Sequence, residues 1–142
     1  MEWMILPLKR YADFEGRSRR MEYWMFQLFQ WLVYIVLILA MVATAETGRA
    51  PIGETPEFGA VPVIFLSIFG LFVLGMAIPN IAVTVRRFHD QDQSGWLYLL
   101  TLIPYLGPLI VLVFMFLPGT NGENRFGLDP KGAGGNIGEV FT

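Results

Sequence analysis

Cysteine is absent from the 142 residues, which excludes disulfides, thiolate metal sites and cysteine nucleophiles. Histidine occurs once, at His89, the only side chain that would ordinarily titrate near neutral pH. Charge is scarce: 15% of residues are Asp, Glu, Lys or Arg, against about 25% in soluble domains. The formal net charge of -2 lacks the basic field that a nucleic-acid partner requires. No Gly-x-x-x-Gly pair falls inside an apolar run, so that helix-dimer motif is missing.

What remains is apolar. Hydrophobic residues make up 54% of the chain, and three long stretches carry no charge: 24–45, 61–85 and 96–117. The shortest of these would form a helix of about 33 Å, enough to cross a hydrocarbon core of about 30 Å. A chain this small cannot bury three such runs in water. The expected fold is therefore an all-α membrane protein, a single domain over 1–142 with three transmembrane helices and a polar tail over 118–142. Ala43-Thr44-Ala45 matches a signal-cleavage pattern, but the apolar run before it is longer than a signal core and follows 23 mixed residues. An uncleaved anchor is the expectation.

Two of the spans carry helix breakers. Pro79-Asn80 is expected to kink the second. Pro104, Tyr105, Gly107 and Pro108 interrupt the third, as a kinked continuous span or as a helix broken between Pro104 and Pro108 into a shallow hairpin. The kinked span is the favoured reading. Gln27, Gln30, Ser67, Asn80, Thr84 and Thr101 are the polar groups in the spans, and interhelical hydrogen bonding is their expected role.

Lys and Arg near span ends set orientation. Lys9, Arg10, Arg17, Arg19 and Arg20 precede the first span and Arg86-Arg87 close the second, whereas the Glu46–Gly59 loop has Arg49 alone. The N-terminal segment and the Arg86–Gly95 loop are expected in the cytoplasm and the Glu46–Gly59 loop outside. Three full spans would put the tail outside. A re-entrant third segment would return it, with Arg125 and Lys131, to the cytoplasmic side.

The segments abutting the spans are the most specific part of the chain. Phe14-Glu15-Gly16-Arg17-Ser18-Arg19-Arg20-Met21-Glu22-Tyr23-Trp24 leads into the first, with Ser18 a candidate N-cap and Arg19 and Glu22 spaced to pair across a turn. Tyr23, Trp24 and Trp96 are candidate anchors at headgroup depth. Arg86-Arg87-Phe88-His89-Asp90-Gln91-Asp92-Gln93-Ser94-Gly95-Trp96 joins the second and third runs, and Gly119-Thr120-Asn121-Gly122-Glu123-Asn124-Arg125-Phe126-Gly127, a Gly/Asn-rich turn region, follows the last. The patterns F-x-G-R-x-x-R-x-E-Y-W, R-R-x-H-D-x-x-x-S-G-W and G-x-N-x-F-G together resemble the domain of unknown function 805 family, over about Phe14 to Gly127. Phe88 and Gln91-Asp92 depart from its usual residues. The resemblance implies a small multi-pass protein of the bacterial inner membrane and leaves its activity open.

The candidate rim cluster is Arg17, Arg20, Glu22, Arg86, Arg87, His89, Asp90 and Ser94, read as ion pairs or a lipid-headgroup contact. Glu22 is expected to pair with Arg86 or Arg87 and Asp90 to take the other arginine. His89, Asp90 and Asp92 could be metal ligands, but a zinc site needs ligands converging from separate turns, so no metal and no cofactor are expected. The expected function is non-enzymatic, through contacts with membrane lipids (anionic headgroups among them), with a second copy or with another membrane protein. The alternatives are a subunit of an oligomeric channel or transporter, which would need a polar route that uncharged spans do not offer, and a hydrolase built on His89 and Asp90.

Overall fold

The computed structural model describes residues 2–46 and 60–132. The 47–59 part of the loop expected outside lies beyond them, as does the tail past 132. Helix α1 covers Glu2–Lys9, α2 Arg20–Glu46 and α3 Ala60–Asp90. A 3-10 helix over Gly95–Leu102 and helix α4 over Leu106–Phe116 follow. No strand occurs among the described residues, only a bridge between Asn124 and Gly127.

α2 carries no proline or glycine to stop it, and α3 runs on past the breakers in its sequence. At 27 and 31 residues they would measure about 40 and 46 Å. Only 11% and 6% of their most apolar windows lie inside the protein, and Leu71 and Leu74 are 70% and 71% exposed. Such surface is stable against lipid and not against water. α3 continues through Pro79, whose missing N–H removes one rung of the ladder.

The chain divides into two compact units, Leu28–Ala77 and the remainder. In the first, Tyr34 of α2 meets the rings of Phe69 and Phe72 of α3 at 5.4 and 5.7 Å between centroids. Ser67 hydrogen-bonds its own helix through Val63 O at 2.8 Å.

The other unit holds the site. Here Gln27 Nε2 donates to Asn80 Oδ1 at 2.8 Å, an interhelical bond of the expected kind. Thr84 and Thr101 depart from that expectation, donating to Asn80 O and Tyr98 O of their own helices, both at 2.7 Å. A hydroxyl near its own backbone needs no partner helix.

The third apolar run is broken, so the favoured reading of a kinked continuous span is corrected. Tyr105 takes φ +64° at the break and is 93% exposed. Each leg, the 3-10 helix and α4, would be about 16 Å long, half a hydrocarbon core. The legs pack together. A Cβ on Gly107 would sit 1.7 Å from Leu100 O, an approach only glycine permits. The run also returns to where it left: Arg87 Nη2 donates to Leu117 O, Gln91 Nε2 to Phe114 O at 2.7 Å, and Thr120 N–H to Asp90 O at 2.8 Å. The segment is thus a hairpin whose two ends meet at the end of α3. Phe88, Val111 and Met115 form the buried apolar cluster beneath, flanked by Tyr23, Trp24, Leu97 and Leu100.

Candidate functional site, a buried charged rim

The start of α2 brings Glu22, and the end of α3 brings Arg86, Arg87 and Asp90, to the same level. Arg86 Nη2 donates to Glu22 Oε1 at 3.2 Å, and Arg87 Nη1 donates to Asp90 Oδ2. Both expected pairings are present. All four residues are at most 3% exposed. Glu22 therefore does not pair with Arg19, whose guanidinium instead lies 5.5 Å over the Trp3 ring.

Arg17 was not expected at the centre, and it is there. Its Nε donates to Asp90 Oδ1 at 3.1 Å, while Nη1 and Nη2 reach Gly122 O and Thr120 O, each at 2.6 Å. The planar guanidinium fork suits this span of acceptors. Asp90 is then shared by two arginines, and its backbone carbonyl holds the returning tail. Gly119 is part of the same arrangement: a Cβ there would lie 2.0 Å from Asp90 Oδ2. The sequence showed Gly119 only as a turn residue, because the approach joins segments far apart in the chain.

The Ser18 hydroxyl makes no hydrogen bond, so it is not the N-cap of α2. Its backbone N–H donates to Arg86 O at 3.1 Å instead. Ser94 does cap: its hydroxyl accepts from Trp96 N–H at 3.4 Å at the start of the 3-10 helix. Arg86 Nε and Nη1 and Arg87 Nε are buried without a hydrogen-bond partner, so charge pairing is what offsets their burial. Arg20 stays exposed, with Nη1 3.3 Å from Phe116 O. Outside the helices, Arg10 donates to Asp13 at 2.8 Å and holds that carboxyl below its usual range.

His89, Asp90 and Asp92 do not converge. The His89 ring stacks on Phe126 at 3.9 Å with Nδ1 3.2 Å from Gly16 O, and Asp92 pairs with Arg125 at 3.1 Å. Among the described residues no three His, Asp or Glu side chains are placed to hold a metal. Of the aromatic anchors, Tyr23 and Trp24 are partly buried, and Trp24 packs on Phe116 at 4.5 Å between centroids. Trp96 is 79% exposed.

Long helices with exposed apolar side chains, together with a buried ionic rim, define an all-helical membrane protein. The family described as "Protein of unknown function (DUF805)" matches residues 11–128, and the chain belongs to it. Inner membrane protein YhaH of Escherichia coli (strain K12) is 44% identical over 133 residues, covering 92% of this chain and 98% of the relative. Inner membrane protein YhaI of the same organism is 37% identical over 132 residues, covering 92% and 97%. No solved structure matches. The family's three sequence patterns, which lie far apart in the chain, are the segments that Arg17, Arg86, Asp90 and Asn124 draw together; Asn124 Nδ2 donates to His89 O at 2.9 Å.

Proposed function

We propose that this is a multi-pass, non-enzymatic component of the bacterial inner membrane, with its rim in the cytoplasm, acting through lipid or protein contacts there. The observation that carries it is the return of the third segment to Asp90, which supports a re-entrant hairpin. Nine of the ten Lys and Arg residues then belong to the unit that carries the rim, and Arg49 alone lies between the two long helices. That asymmetry is what positive-inside orientation requires. The carboxylates of Glu22 and Asp90 are engaged by arginines, which supports a structural use of the rim over acid–base chemistry. Arg17, Arg86 and Arg87 face inward, so a headgroup or partner contact falls to Arg19 and Arg20 at the outer edge.

The experiment is extraction of the full chain from cells in native membrane particles, with lipids and co-extracted proteins quantified against bulk membrane. An anionic lipid or a stoichiometric protein should be enriched, and the enrichment should fall in the R19Q/R20Q variant. Bulk lipid composition with no stoichiometric protein would remove the proposal.

A further inference from the structure

A cavity of about 580 Å³ opens beside the rim, within the range of about 300–1,000 Å³ typical of small-molecule sites. Ile81, Val85 and His89 line it from α3. Their spacing of four residues places them on one face, so the wall runs from two apolar side chains to one imidazole over about 12 Å. Leu99 of the 3-10 helix and Ser94, which precedes Gly95, line it too, and Phe126 stacks on the imidazole at 3.9 Å. Gly95 keeps the polar end open: a Cβ there would lie 2.7 Å from Val85 Cγ1 and 3.1 Å from His89 Nε2.

The hydrogen-bonding character of that end is fixed. Gly16 O can only accept, so Nδ1 carries the proton in the bond between them. At pH 7.5 an ordinary imidazole is mostly neutral, which leaves Nε2 as an acceptor. Ser94 Oγ already accepts from Trp96 N–H, so its own proton is available to donate. The end of the cavity therefore offers one acceptor and one donor. A phosphodiester or carboxylate brings only acceptors and leaves Nε2 unmatched. An ammonium head brings no acceptor and leaves the Ser94 proton unmatched, and the nearby carboxylates are taken: Asp90 by Arg17 and Arg87, Asp92 by Arg125.

We propose that this cavity binds a single-chain amphiphile with an uncharged diol head, of the monoacylglycerol type. One hydroxyl donates to His89 Nε2, a neighbouring one accepts from Ser94, and the chain lies along Val85, Ile81 and Leu99. The site stands independently of the contacts proposed for the outer arginines.

His89 is the only histidine, so its ring signals need no assignment. The full chain, labelled with [15N]histidine, is placed in dodecylphosphocholine micelles at pH 7.5 and titrated with 1-monooleoylglycerol or with methyl oleate, which lacks the diol. The Nδ1–H tautomer should be seen throughout. Monooleoylglycerol should bind saturably, with Overhauser contacts from His89 Hε1 to the glycerol protons. Methyl oleate should bind at least about tenfold more weakly, because both hydroxyl hydrogen bonds are lost. Leu99→Trp fills the apolar part at a half-exposed position, and should abolish saturable binding while keeping the Nδ1–H tautomer as a sign of folding. An Nε2–H tautomer, equal binding of both probes, no saturable binding, or binding that survives Leu99→Trp would each overturn the proposal.

Discussion

Asp90→Asn is the sharpest perturbation of the rim. Asparagine keeps the shape of the side chain, the space against Gly119 and the backbone carbonyl that holds Thr120. It removes the charge between two guanidinium groups. Asp90 is 2% exposed, with Arg17 Nη2 3.0 Å from Oδ1 and Arg87 on Oδ2. Removing one member of a buried ion pair costs about 3–5 kcal/mol, because the remaining charge stays desolvated. Asp90 serves two arginines, and Arg87 Nε already lacks a hydrogen-bond partner, so the cost should fall in the upper half of that range. A loss of 4 kcal/mol is roughly a thousandfold in the unfolding equilibrium. Reversible unfolding in mixed micelles by dodecyl sulfate titration, followed by circular dichroism, measures it. The control is Asp92→Asn, whose pair with Arg125 has side chains 58% and 48% exposed and should be worth under about 1 kcal/mol. Arg17→Met added to Asp90→Asn should cost less than the two separate losses combined, by at least about 1 kcal/mol. If Asp90→Asn and Asp92→Asn cost the same, the rim is not a buried network and the reasoning fails.

Two further outcomes are expected. Gly119→Ala puts a methyl 2.0 Å from Asp90 Oδ2 and should destabilise by about 1–3 kcal/mol in the same titration, whereas Gly70→Ala, with nothing within 4 Å, should be neutral or stabilising by up to about 1 kcal/mol; equal effects would mean that the tail does not press on Asp90. Single cysteines at Gln93 and Glu123 should react with a membrane-impermeant thiol reagent from one side of the membrane and a cysteine at position 55 from the other, and opposite labelling of 93 and 123 would show that the third run crosses.

The helices were legible because charge avoidance is a local property. A run such as 61–85 cannot hide its lack of charge, and the described α3 contains it whole. Depth was also legible. Glu22 stands just before one apolar run and Arg86 just after another, so two antiparallel helices must bring them level, and their pairing follows. What could not be read was anything that depends on a return path. Pro104, Gly107 and Pro108 mark a break, but the same residues serve a kink in a continuous helix. The difference is decided by the packing of one leg on the other, at Gly107 against Leu100 O, and by the docking of the tail on Asp90.

Arg17 shows the same limit in the site itself. From sequence it is one of five basic residues before the first span, set in the rim cluster beside Arg20 by the family pattern but with nothing to mark it as the centre. Its role is set by Thr120 and Gly122, more than a hundred residues away. A guanidinium can be desolvated at this depth only if each face of the fork finds an acceptor, and carbonyls of a returning tail supply what one carboxylate cannot. Burial of Arg17 and return of the hairpin to Asp90 therefore require each other. A third segment that crossed the membrane would carry those carbonyls to the far side and leave Arg17 with Asp90 alone, sharing one carboxylate with Arg87. The charge count of the rim argues for the hairpin as strongly as the backbone does.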